Sequence, residues 1–395
     1  MSVARPFWLR IEEREIAELR IRLAGARWPD EINDEHWSYG TRGDYLRKLV
    51  AYWRDRFDWG TAQASLNAFD QYLIEIDGLD LHFIHQRSDH PHATPLILTH
   101  GWPGSIVEFL AVIPRLTQPE RFGGRAEDAF HVVCPSLPGY ACSAAAHKPG
   151  MHLGAIAARH VKLMQALGYE RYIAQGGDWG APITRLTAEQ DPQHCRAIHL
   201  NLFPASQPDD LPDPMHSLNE RERRWLEANK TYDREGSGYR HIQNTRPQTL
   251  GYGLHDSPVG LCAWLTEKFH FWTDCERDGH RDIRNAISWD PLLTNISLYW
   301  LTGTITSSMR LYLEFTRARA SGALPLPGRM TTPTGVAVYP GEIIKTPRSW
   351  VERSCPLIHW YEADRGGHFA AMEQPQIFSE DLWQFHRTVR ERGLI

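Results

Sequence analysis

Gly176-Gly177-Asp178-Trp179-Gly180 follows directly on the apolar run Tyr172–Gln175 and opens a further helix-and-strand alternation. A G-x-D-x-G at the end of a strand reads as a nucleophile elbow, with Asp at the position more often held by Ser. The tight turn would lift residue 178 above the edge of a sheet, and the flanking glycines would avoid neighbouring backbone. A plainer reading exists, in which Asp178 merely N-caps the next helix. Context on both sides decides between them.

Upstream, YLIEI (72–76), Asp77-Gly78 and LDLHFIH (79–85) alternate about a hairpin turn. LILT (96–99) is a short buried strand ending in HGWPGS, and IVEFLAVIPRL (106–116) after it reads as helical. FHVVCPSLPGY (130–140) is a strand and loop, and residues 153–167 form a helix. Downstream, TPTGVAVYP (332–340) and PLIHWYEA (356–363) resume the strands, and a last helix covers roughly 373–391. This order predicts an α/β fold, a mostly parallel doubly wound sheet of the α/β-hydrolase kind, with residues 71–204 and 321–395 forming its two halves.

Between those halves, residues 205–320 lose the alternation. DLPDPMHSLNERERRW, HDSPVGLCAWLTEKFHFW and LYWLTGTITSSMRLYLEFTRA read as helical or irregular and predict an inserted helical cap. Residues 1–70 form an N-terminal meander. Ile16, Leu19 and Leu23, then Leu46, Leu49, Val50 and Trp53, recur at helical spacing, and Trp28, Trp37 and Trp59 read as hooks onto a larger body.

In this fold the chemistry runs along the chain as nucleophile, acid, histidine. His368, in Gly366-Gly367-His368-Phe369, falls between the last strand and the last helix. Glu342 follows TPTGVAVYP, where an orienting carboxylate belongs. A loop-capping histidine and a solvated acid are the bland alternatives. Three strand ends in the right order favour a triad of Asp178, His368 and Glu342. The backbone N–H groups of Trp102 and Trp179 are the expected oxyanion donors, and His100 is expected to brace its own loop. His82, His85, His90 and His92 span a strand and a polar loop without the acid pattern of a metal site, so no metal is expected.

Composition narrows the class. A net charge of −5 without a basic block argues against a nucleic-acid partner. Six cysteines without regular spacing read as free thiols in a reducing compartment. The N-terminus has no apolar signal segment and no stretch reaches 18 apolar residues, so a cytoplasmic protein is expected. Fifteen Trp, 14 Tyr and 14 Phe suit either large cores or an aromatic pocket. Trp264, Phe269, Phe271, Trp272 and Trp300 of the cap divide evenly between those two readings.

Taken together, the Trp-rich N-terminus, HGWPGS, GGDWG, YRHIQNTRPQTLGYGLHDSPVGLCAW, WLTGTITSSMRLYLE and RGGHFAAMEQP make the chain resemble the epoxide hydrolases of the microsomal and juvenile-hormone type, end to end. The resemblance implies Asp178 as nucleophile, His368 as base, Glu342 as its partner, and Tyr239 and Tyr312 as cap acids holding the oxirane oxygen. Tyr232 and Tyr252 lie close enough to Tyr239 to be its alternatives. It further implies a small apolar epoxide substrate and no cofactor, and by analogy a homodimer through the cap or meander. The membrane-bound relatives begin with an apolar anchor that this sequence does not show. Two rivals stand beside this reading: a haloalkane dehalogenase, which shares the Asp-Trp elbow, and a silent ligand-binding protein on the same fold.

Overall fold

The structure, a computed structural model, describes residues 3–32, 36–205, 207–208, 215–216 and 218–395. Nine strands build the central sheet: β1 Arg5–Phe7, β2 Gln71–Ile76, β3 Leu79–Gln86, β4 Thr94–Thr99, β5 Phe130–Pro135, β6 Tyr172–Gly176, β7 Cys195–Leu200, β10 Thr334–Val338 and β11 Leu357–Glu362. A two-residue ladder, β8 Glu276–Arg277 with β9 His280–Arg281, stands apart from it. The sheet order is β1-β2-β3-β5-β4-β6-β7-β10-β11. Pairing is antiparallel from β1 through β5 and parallel from β5 to β11. The parallel strands are apolar and almost wholly buried, as strands covered on both faces must be.

The mostly parallel sheet is as expected from the alternation, and the hairpin turns at Asp77-Gly78, with φ of 51° and 75°. Three local readings change. IVEFLAVIPRL is not one helix: a 3₁₀ turn at Ile106–Phe109 and a short helix at Ile113–Thr117 replace it. Pro114 lacks an N–H to continue a helix from before it, and sits instead at the start of the second piece. Trp59 is more than a hook: it begins a helix, Trp59–Leu66, because Asp58 caps the Gly60 and Thr61 N–H groups. The N-terminal residues Arg5–Phe7 add an edge strand to β2, a pairing across 66 residues that local pattern does not carry.

Helices fill the segment between β7 and β10, chiefly Glu220–Thr231, Gly238–Thr245, Pro247–Asp256, Pro258–Trp272, Trp289–Leu301 and Ile305–Ala320. Of DLPDPMHSLNERERRW, residues 210–214 and 217 lie outside the described residues, and a helix begins at Glu220 after an Asn219–Glu222 capping box. The N-terminal segment grips these helices. Trp37 stacks on His270 at 3.8 Å, Trp53 Nε1 donates to Ser297 Oγ at 2.8 Å, Thr41 Oγ1 to Ala263 O at 2.8 Å, and Tyr52 OH to Asp290 at 2.8 Å. Phe269 and Trp272 are cap core, Trp264 and Trp300 are packed against it, and Phe271 is largely exposed.

No helix among the described residues is long and apolar enough to cross a membrane. The six cysteines are free thiols, five of them buried.

Candidate active site

Asp178 has φ of +46°, a left-handed conformation that a non-glycine residue adopts at a cost. The surroundings enforce it. A Cβ at Gly176 would lie 2.3 Å from Gly180 O, and one at Gly180 would lie 1.9 Å from Thr99 O, so β6, β4 and the following helix close in on the turn from three sides. The helix Gly180–Gln190 starts behind Trp179, and Asp178 stands proud of it. The simple N-cap reading is thereby displaced, since Asp178 directs its carboxylate elsewhere: Oδ1 accepts the Trp102 N–H at 2.7 Å. Trp179, the other expected donor, holds αR geometry immediately before the helix.

His368 comes to the same carboxylate from the loop after β11. Its Nδ1 donates to Glu342 Oε1 at 2.7 Å, which leaves Nε2 facing Asp178 Oδ2 at 3.2 Å. That approach is off the hydrogen-bond direction, so Nε2 remains unpartnered in place. Both His368 and Glu342 are about 4% exposed. Burial opposes a charge on the imidazole, but Glu342 and Asp178 outweigh it and hold its pKa well above the ordinary value. The cap steadies the ring: His368 N donates to Trp272 O at 2.9 Å, and the Trp272 indole meets the imidazole edge-on at 5.0 Å. Three residues distant in sequence thus form one relay.

Over Asp178 opens a cavity of about 520 Å³, within the usual range for small-molecule sites. Tyr239 and Tyr312 line it, both buried, with ring centroids 5.9 Å apart. Burial pushes both phenols upward, with the Asp178 charge next at Tyr239 and then Tyr239 and Asp178 at Tyr312, so both stay protonated. Tyr252, one alternative, is 72% exposed and drops out. Tyr232 does not: it lines the same cavity and its hydroxyl lies 3.2 Å from that of Tyr239. The buried Lys268 ammonium, 4.3 Å from the Tyr239 ring centroid, was not legible as part of the site. The apolar part of the wall comes from residues such as Leu202, Phe203, Phe315, Leu324 and Ile343, not from the cap aromatics that composition picks out, and Arg185, Glu189, Arg240, Arg319 and Arg329 also line it.

His100 braces its loop as expected, with Nδ1 on Gly101 O and Nε2 accepting the Leu137 N–H. Burial lowers its pKa to about 4. The histidines of the β3 region do not converge: His82 lies between Ser136 and Gln71, His85 bonds Tyr169, and His90 pairs with Glu120. Among the described residues, the group with convergent ligand atoms is His199, His359 and Asp381. There Asp381 accepts from His199 at 2.9 Å and from His359 at 2.6 Å, hydrogen bonds that tie β7 and β11 to the final helix, Pro375–Glu391.

Known proteins share this plan. Residues 4–109 match the family profile "Epoxide hydrolase N terminus", and residues 94–234 match "alpha/beta hydrolase fold". The chain is 39% identical to Epoxide hydrolase 1 of Sus scrofa, over 96% of its own length and 88% of that protein's. It superposes on juvenile hormone epoxide hydrolase from Bombyx mori with a TM-score of 0.90 at 31% identity, covering 99% and 96% of the two chains. For the Aspergillus niger epoxide hydrolase the TM-score is 0.86 at 30% identity, covering 98% and 96%. With the elbow, the relay and the long relatives all agreeing, the chain belongs to the epoxide hydrolases, on an α/β-hydrolase fold with the N-terminal segment of that family.

Proposed function

We propose that this enzyme opens a small apolar epoxide to a vicinal diol through an ester on Asp178. The observation that carries the proposal is the pair of buried phenols, Tyr239 and Tyr312, lining the cavity into which the elbow presents its carboxylate. An epoxide carbon is a strained electrophile without a carbonyl, and a carboxylate displaces its oxygen in line. The departing alkoxide needs a proton, which the phenols deliver. A serine in place of Asp178 would form an ether that water cleaves poorly, whereas the aspartyl ester can be hydrolysed. His368, oriented by Glu342, deprotonates the water. The Trp102 N–H, with that of Trp179, receives the charge developing on Oδ1. No step requires a cofactor.

In the same proposal, residues 1–70 fasten a cap of residues 205–320 over a core of residues 71–204 and 321–395. A cytoplasmic location and a homodimer through the cap or extension belong to it as well, the latter to be read from solution mass. One observation suits the dehalogenase alternative: the buried indole Nε1 atoms of Trp102 and Trp179 have no hydrogen-bond partner among the described residues. A diol assay on styrene-type, terpene and aliphatic epoxides, run beside halide release from haloalkanes, decides. Diol from the wild type and none from Asp178→Ala is the expected result; halide release without diol overturns it.

A further inference from the structure

Among the described residues, Asp178 alone lines both the chamber over the elbow and a second, small cavity. The larger holds Tyr239 and Tyr312. The second, beneath the His100–Trp102 turn, measures about 10 Å³, room for one water. His368 lines this small cavity and not the large one, together with Glu108, Thr99 and Asn201; Phe369 and Phe378 close it. The carboxyl group under attack therefore stands between a chamber with the acids and a chamber with the base.

Glu108 is the unexplained group there. Its carboxyl lies against the HGWPG turn, so near that a Cβ on Gly104 would meet its Oε1 at 1.6 Å. Among the described residues it forms no ion pair. Burial first, then the Asp178 charge, push it up to about 8, against the opposing pull of His368 and the Gly101 N–H. A half-buried carboxyl pushed toward its neutral form beside the elbow is a candidate for a part in the chemistry. Two further polar atoms of the wall, Thr99 Oγ1 and His368 Nε2, are buried with no hydrogen-bond partner among the described residues.

We infer that the small cavity is the station of the hydrolytic water and that Glu108 holds that water for His368. The inference rests on the ester mechanism above. The water oxygen bonds to Asp178 Cγ, and one of its protons passes to His368 Nε2. Its other hydrogen is held by the carbonyl oxygen of Glu108, which accepts whether or not the carboxyl is protonated. The C=O electron pair moves onto Oδ1 under the Trp102 N–H. Collapse then breaks the bond from Cγ to the ester oxygen, and the diol takes its proton back from His368. The water's oxygen and its second hydrogen stay on Asp178, and that proton passes to the phenolate left by ring opening, restoring carboxylate and phenol. Glu108 acts in ester hydrolysis and leaves ring opening alone.

Rapid-quench and intact-mass kinetics with styrene oxide test this on the full chain. Glu108→Leu should alkylate at a rate within about twofold of wild type, then hydrolyse its ester about 10²-fold more slowly, at the lower end for a lost acid–base contribution. Glu108→Gln, which keeps an acceptor, should restore hydrolysis to within about tenfold of wild type. A second variant fills the cavity with Glu108 in place: Ala371→Val should also slow hydrolysis selectively and suppress transfer of ¹⁸O from labelled water into the Asp178 peptide. Hydrolysis at wild-type rate in both Glu108→Leu and Ala371→Val overturns the inference. So does an equal loss of both steps in Glu108→Leu, which would make Glu108 a prop for the turn. If styrene oxide alkylates neither wild type nor His368→Gln, the ester mechanism itself fails.

Discussion

The indole of Trp102 lies parallel to the phenol of Tyr239, with an interplanar angle of 8° and centroids 5.2 Å apart. The same residue meets Tyr312 edge-on at 5.8 Å and gives its backbone N–H to Asp178. One residue of the core thus touches both buried phenols and the elbow carboxylate. Trp102→Leu keeps the amide but removes the ring. Each of the two lost aromatic pairs is worth about 0.5–1.5 kcal/mol, so ring opening should slow by about 5- to 150-fold. Hydrolysis of the preformed ester should change far less. Single-turnover kinetics on both steps check this, and an equal slowing of the two would refute it.

Removing the base separates the steps differently. His368→Gln should still attack epoxide, because the imidazole acts on the ester and not on the oxirane. Intact mass after mixing should show the protein plus one substrate, with no turnover. A protein that stays unmodified while folded would show that His368 is needed from the start.

The phenols divide one task. Tyr239→Phe or Tyr312→Phe should each slow ring opening by roughly 1.5–3 kcal/mol, the range for a hydrogen bond to a charged group, or about one to two orders of magnitude. The double variant should open the ring hardly at all. Tyr232, 3.2 Å from the Tyr239 hydroxyl, supplies a control: Tyr232→Phe should cost less than either, since it reaches the alkoxide only through Tyr239. A larger loss at Tyr232 than at Tyr239 would reverse their assignments.

Stability should fall as pH rises from weakly acidic to weakly basic. Glu108 and Glu373, both forced to about 8 by burial above all, keep their protons in the folded protein while the unfolded chain ionises above about 4.5. Each therefore removes up to about 1.4 kcal/mol per pH unit across that window, levelling off beyond it. His368 works in the same direction: its raised pKa gives stability that is complete below 6.5 and lost as pH passes its folded value. Glu108→Gln should raise the melting temperature near pH 8 and leave it little changed near pH 4.5. An identical shift at both pH values would contradict a neutral, half-buried Glu108.

The site was legible where its chemistry sits in short strings at strand ends. Asp178, His368 and Glu342 each follow a strand whose apolar run announces it, and chain order supplies their roles. Tyr312 came with a long specific string, and burial separated Tyr239 from Tyr252, which faces solvent, but not from Tyr232, which lines the same cavity. Glu108 was invisible because IVEFLAVIPRL reads as an ordinary amphipathic helix. Only the break before Pro114 and the fold of the turn onto Gly104 show where its carboxyl lies. The edge strand β1 and the pocket wall around Phe203 and Ile343 depend on partners far along the chain. The cap aromatics stayed open between core and pocket for a related reason, since composition counts rings without saying which way they face.

The grip of the N-terminal segment on the cap has a consequence for selectivity. Trp37 on His270, Trp53 on Ser297 and Tyr52 on Asp290 hold the helices Pro258–Trp272 and Trp289–Leu301, none of whose residues lines the chamber, at separate points, while β1 joins the same segment to the edge of the sheet. Fastened at three points away from the chamber, these helices should give its lining a steady backing, so the range of epoxides accepted is expected to follow the shape of the wall. Loosening that hold, as with Trp53→Ala, should blur that range first and slow the chemistry only afterwards.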